Sequence, residues 1–191
     1  FPFLCGTERP QVALQLYSIH KIFWQSPERI LAELKAVGYD GVEFAGVNGR
    51  SAANIRKLLV DAGLVGTGTH VNGDVELVGD ELKKALDFYA EVGIRSIVTP
   101  HASRKSADEY RAFGESMGKA AEAAAAYGIR LGVHTAPFHF SKRYDGRTAW
   151  EWITAESSPL LPERNADYDL TQAGIFLKTF DFDRQSDEKT G

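Results

Sequence analysis

The stretch Ile129-Arg-Leu-Gly-Val-His-Thr-Ala-Pro-Phe-His-Phe140 has the grammar of one βα unit. A helical run of small residues, Ala120 to Ala126 around Glu122, ends at Tyr127-Gly128, and a short apolar strand follows at once. The strand stops on His134, and a second histidine, His139, comes five residues later. Helix, glycine, strand, then polar side chains at the strand's end is the layout of an active-site edge in a βα barrel.

The same junction recurs upstream. Ala36-Val-Gly38-Tyr, Asp61-Ala-Gly63-Leu, Glu91-Val-Gly93-Ile and Ala126-Tyr-Gly128-Ile each join a helix to a strand. Their glycines lie 25, 30 and 35 residues apart, a spacing that suits successive βα units. Helices that alternate with short apolar strands imply a parallel sheet, because parallel strands need crossovers. Strands are expected near 12–17, 41–46, 65–71, 95–101, 130–135 and 166–170. Helices are expected from Ser26-Pro27, Ser51, Asp80 and Ser106, with a short one carrying Trp150-Glu-Trp-Ile153 from near Asp145-Gly146. Tyr17-Ser-Ile-His20 has no glycine-rich fingerprint after the first strand, which argues against a dinucleotide-binding sheet. The fold class is therefore α/β, a TIM-type (β/α) barrel of parallel strands, incomplete as given with about six units. The whole of 1–191 forms one domain, with 1–10 as a leader and 175–191 as an irregular tail.

Composition narrows the function classes. With 43% hydrophobic and 25% charged residues the chain is an ordinary globular protein. A net charge of −4 offers no polyanion-binding surface, so no nucleic acid is expected as a partner. Cys5 is the single cysteine, which excludes an internal disulfide framework and a Cys-rich zinc site. No apolar run approaches the roughly 18 residues of a membrane span, and no membrane partner is expected. The first residue is Phe1, so localisation stays open between the cytoplasm and, after removal of a leader, the periplasm or exterior.

Counting from each helix-closing glycine to the end of its strand reaches Glu43, His70, His101 and His134. In a parallel barrel those ends open on one face, so the side chains are expected to converge. Asp169 extends the ring at the sixth strand and His20 follows the first. Histidine and carboxylate together suit Zn²⁺, Mn²⁺ or Co²⁺ better than Ca²⁺. Taken singly, each histidine reads equally well as a hydrogen-bonded structural residue. Phe138, Phe140, Trp150 and Trp152 form either a sugar-stacking wall or simple cover for the rim.

Several segments together resemble the sugar phosphate isomerase/epimerase family of xylose isomerase-like TIM barrels. They are Leu14-Gln-Leu-Tyr-Ser18, Gly38-Tyr-Asp-Gly-Val-Glu-Phe-Ala-Gly46, Gly66-Thr-Gly-Thr-His-Val71 and Gly128-Ile-Arg-Leu-Gly-Val-His134. The resemblance covers roughly residues 11–174. It implies a metal-dependent isomerase or epimerase that moves a proton next to a carbonyl of a small sugar or sugar derivative. It matches His134 and Asp169 to the family's ligands for a divalent metal (Mn, Zn or Co), His70 to its histidine after strand three and Glu43 to its carboxylate after strand two. With His101 from the strand-end count, Glu43 and His70 are expected in catalysis, and His20, Phe138, His139 and Trp150 are expected at the substrate. Where relatives read His-Asn-His-Asp-Phe-Glu-Phe after strand five, this chain has His134-Thr-Ala-Pro-Phe-His-Phe140, with His139 in place of the glutamate. The family's further ligands, on strands seven and eight, have no counterpart after Gly174. The alternatives are a lyase on the same barrel (a dehydratase or a 3-keto-glycoside cleaving enzyme), an endonuclease, or a non-catalytic barrel binding a sugar or partner. Exposed strand edges in a partial barrel would favour a homo-oligomer.

Overall fold

The computed structural model describes residues 11–100, 102–155 and 160–164. Among these, six strands form one sheet in chain order: β1 (Ala13–Gln15), β2 (Gly41–Phe44), β3 (Val65–His70), β4 (Ser96–Thr99), β5 (Arg130–Thr135) and β6 (Leu161–Arg164). Every neighbouring pair is parallel. The crossovers carry α1 (Pro27–Ala36), α2 (Ala52–Ala62), α3 (Gly79–Val92), α4 (Ala107–Ala125) and α5 (Ala149–Ile153). The result is a partial (β/α) barrel of TIM type.

The helices begin and end where local chemistry satisfies their free backbone groups. Ser51 accepts the amide of Asn54 and Ser106 that of Glu109, each with its hydroxyl oxygen. Ser26 occupies the equivalent position on α1 without a side-chain bond, and Pro27 fixes the first turn. At the far ends, Gly63 (φ 65°) and Gly93 (φ 93°) take the left-handed conformation that turns α2 and α3 into the next strand.

Alternation along the strands sorts the side chains into two layers. Val42, Phe44, Ile97, Leu131 and Val133 join Ile55, Leu59, Leu86, Tyr110 and Met117 from the helices in one buried core. Each such side chain contributes about 1.5–3 kcal/mol through burial. Glu43 and His134 are the intervening residues, which sends them to the opposite, inner face. Tyr89, on α3 in this core, is 3% exposed, and burial pushes its hydroxyl up to about 12. The folded state therefore keeps that proton to higher pH than the unfolded chain does. Stability from this group is intact below pH 10 and falls on the order of 2–3 kcal/mol as pH rises from 10 to 12. Denaturant melts of wild type and Tyr89→Phe between pH 9 and pH 12 should show the gap between the two narrowing over that window.

The sheet's sixth strand runs over Leu161–Arg164, and the strand expected near 166–170 lies outside the described residues. Two expectations need correction. The first strand stops at Gln15 rather than at Tyr17. There the Gln15 side chain accepts the Tyr17 amide at 2.7 Å and starts a 3₁₀ turn over Leu16–Ile19. Asp145-Gly146 does not begin a helix. Both residues have positive φ (48° and 83°), forming the turn of a small antiparallel ribbon that pairs Arg143–Tyr144 with Arg147–Thr148. Helix α5 starts after it, where Thr148 and Glu151 cap each other reciprocally. Among the described residues no helix is long and apolar enough to cross a membrane.

Candidate active site

The carboxyl ends of β1, β2, β3 and β5 bring four polar side chains together. Gln15 and Glu43 are register partners across β1 and β2. Between β2 and β3 the register slips: Val42 pairs with Gly66 but Glu43 with Gly68, leaving Thr67 unmatched. This one-residue bulge re-aims the end of β3 and sets Gly68 and His70 on the same side as Glu43. Gly68 is small for a reason, since a Cβ there would lie 3.4 Å from Glu43 Cγ and 3.2 Å from the Ser96 carbonyl oxygen.

Glu43 is 8% exposed, and its Oε1 lies 3.1 Å from His70 Nε2. Gln15 Nε2 stands 3.4 Å from His70 Nδ1. The His70 and His134 rings meet edge to face with centroids 5.4 Å apart, so residues from strands three and five come together. A carboxylate, an imidazole and a second imidazole at this separation suit proton transfer on a small molecule held between them.

Other expected residues sit elsewhere. His139 is 2% exposed; its Nδ1 accepts the Ala136 amide at 2.9 Å, and its Nε2 lies 3.4 Å from the Ala102 carbonyl. Burial pushes its pKa below the ordinary histidine value. It ties the loop after β5 to the loop after β4. Phe138 stacks on it at 4.1 Å and is half-buried. Phe140 is 44% exposed and faces Trp150 at 5.8 Å, leaving that pair as the open part of the aromatic rim. Trp152 is held from outside, its indole N–H donating to the Tyr144 carbonyl and its ring covered by Arg111 and Arg147. His20 is exposed and stacks on Tyr17 at 4.5 Å. His101 and Asp169 lie outside the described residues.

Among the described residues, no three His, Cys, Asp or Glu side chains are grouped to hold a metal ion. His70 has both ring nitrogens beside protein groups, Nδ1 at Gln15 and Nε2 at Glu43. The described residues thus fall short of the three protein ligands of a catalytic zinc. Gln15 was not among the expected site residues. The count that found the others started from helix-closing glycines, and no such glycine precedes β1.

Solved structures share this fold. A sugar phosphate isomerase/epimerase from Parabacteroides distasonis ATCC 8503 superposes with a TM-score of 0.71 at 20% identity, over 90% of this chain and 72% of that one. The 3-keto-D-glucoside 4-epimerase of E. coli gives 0.61 at 18%, over 87% and 72%. An AP endonuclease, family 2, from Brucella melitensis gives 0.60 at 17%, over 81% and 68%. A search of curated proteins returned no match by sequence. A family model described as a xylose isomerase-like TIM barrel matches residues 31–161, more than half of the sequence. With the parallel strands and their inward-facing ends in view, the chain belongs to the xylose isomerase-like TIM barrel family.

Proposed function

We propose that this chain acts as a sugar isomerase or epimerase, moving a proton on the carbon next to a carbonyl of a small sugar or sugar derivative. The observation that carries the proposal is the 3.1 Å pair of the buried Glu43 with His70, with His134 against it. Glu43 takes the proton from the carbon next to the carbonyl, and the electron pair left behind moves onto the carbonyl oxygen to give an enediolate. Return of a proton to the same carbon from the other side inverts it; return to the neighbouring carbon isomerises the sugar. His70, 3.1 Å away, sets a second proton-carrying group beside the carboxylate. Phe140 and Trp150 offer an apolar wall for one face of a sugar ring. Relatives named as a sugar phosphate isomerase/epimerase and a 3-keto-D-glucoside 4-epimerase support this class. The net charge of −4 speaks against the endonuclease alternative.

The test is incubation with a panel of ketoses in D₂O, with and without added Mn²⁺. Deuterium should appear at the carbon next to the carbonyl. An absence of exchange with every sugar would overturn the assignment, and loss of a neighbouring hydroxyl would redirect it to a lyase.

A divalent ion, when bound, would polarise the carbonyl and make the neighbouring proton more acidic. The described residues offer it His134, and the proposal leaves the rest of its shell to Asp169 or to a neighbouring subunit. Calorimetric titration with Zn²⁺ and Mn²⁺ should therefore give weak binding that disappears in His134→Ala. Tight binding that survives the substitution would place the metal elsewhere.

A further inference from the structure

We propose that Gln15 is a positioning residue that dictates which ring nitrogen of His70 carries the proton. Its carboxamide has two unlike arms, an oxygen that accepts and an NH₂ that donates. One arm lies 2.7 Å from the backbone N–H of Tyr17. A backbone N–H can only donate, so that arm is the oxygen. The other arm, 3.4 Å from His70 Nδ1, is therefore the NH₂, which can only donate. Nδ1 must then be the bare nitrogen of a neutral ring. The ring's proton sits on Nε2, the nitrogen 3.1 Å from Glu43 Oε1.

The result is a directed chain: Tyr17 amide to Gln15 oxygen and Gln15 NH₂ to His70 Nδ1, which leaves the ring's proton on the Nε2 side, where Glu43 lies. Each link fixes the next. The opposite tautomer would set an N–H against the Gln15 NH₂ and lose that bond, while placing an Nε2 lone pair 3.1 Å from a carboxylate oxygen. The backbone supports the arrangement. Gln15 ends β1 level with Glu43, and the 3₁₀ turn at Leu16–Ile19 supplies the amide that orients the side chain. A conformational feature of the main chain is thereby converted into the proton position beside the proposed base. The consequence for turnover rests on the function proposed above; the tautomer itself does not.

The experiment is a long-range ¹H–¹⁵N correlation spectrum of the labelled chain at neutral pH, with the His70 signals identified by their loss in His70→Gln. Wild type should show a bare Nδ1 and a protonated Nε2. In Gln15→Glu, both carboxylate oxygens accept, so one still takes the Tyr17 amide while the other draws a proton onto Nδ1. A wild-type ring protonated on Nδ1, or on both nitrogens, would overturn the proposal, as would a folded Gln15→Glu chain with an unchanged His70 pattern. Thermal melts establish that the variant folds, and if it does not, the wild-type spectrum alone decides. In the exchange assay Gln15→Leu should lower kcat about 10–100-fold with KM nearly unchanged. A raised KM at unchanged kcat would make Gln15 a binding contact instead and overturn the positioning role. If no sugar exchanges with wild type while the tautomers behave as described, the function fails and the proton placement stands.

Discussion

Glu43→Gln is expected to reduce sugar proton exchange by about 10²–10⁴-fold, the contribution typical of a positioned general base. The fold should hardly register the change. The glutamine keeps the length and shape of the glutamate beside His70, and Gly68 keeps the space beside Cγ. What is lost is the basic oxygen. A carboxylate can take a proton from carbon and return it, whereas a carboxamide cannot at neutral pH. Exchange rates in D₂O and the melting temperature, measured on the same preparation, separate the two effects. A variant that melts like wild type and exchanges at the wild-type rate would remove Glu43 from the chemistry. If it is merely an ion-pair residue, the rate should instead follow stability.

Much of this was legible in the sequence because local rules and the global fold agree. Ser51 and Ser106 start helices through their own hydroxyls, and the glycines at 63 and 93 end them through a conformation other residues rarely adopt. The strand-end count picked out Glu43, His70 and His134, which lie beside one another because parallel strands share a direction. Legibility stopped where an interaction is not local. The slip between Val42–Gly66 and Glu43–Gly68 is a property of two strands together, and neither segment alone announces it. His139 carries the same side chain as His134 but is consumed by two backbone groups on different loops, which no spacing rule foresees. Asp145-Gly146 is a different case. Its turn signal was present, flanked by residues able to pair, but Trp150-Glu-Trp-Ile153 drew the helix start too far upstream. Gln15 was hidden because its role depends on which way a carboxamide faces, which only the Tyr17 amide reveals.

Gly114→Ala should destabilise the protein by about 2–3 kcal/mol, against the usual sign for a glycine inside a helix. On propensity alone the substitution favours α4 by about 1 kcal/mol. Packing reverses this. A Cβ at Gly114 falls 2.1 Å from the Ile153 carbonyl oxygen, 2.8 Å from its carbon and 2.9 Å from its Cα. All three are backbone atoms, so no flexible side chain can swing aside, and the end of α5 has to move. Overpacking usually costs about 1–3 kcal/mol and occasionally more; with three backbone atoms inside 3.0 Å of the Cβ the cost is about 3–4 kcal/mol, which leaves a net loss of about 2–3 kcal/mol after the propensity gain. For a chain of this size the melting temperature should fall by about 4–12 °C. The displacement also reaches the proposed site, because α5 carries Trp150, which faces Phe140 at the rim. Sugar binding should therefore weaken, as a raised KM, while Glu43 and His70 on β2 and β3 keep their 3.1 Å contact and kcat changes little. A Gly114→Ala protein that melts higher than wild type would mean the close approach of α4 and α5 is not maintained in solution. A loss in kcat without one in KM would mean that α5 supports the proton-transfer pair rather than the rim.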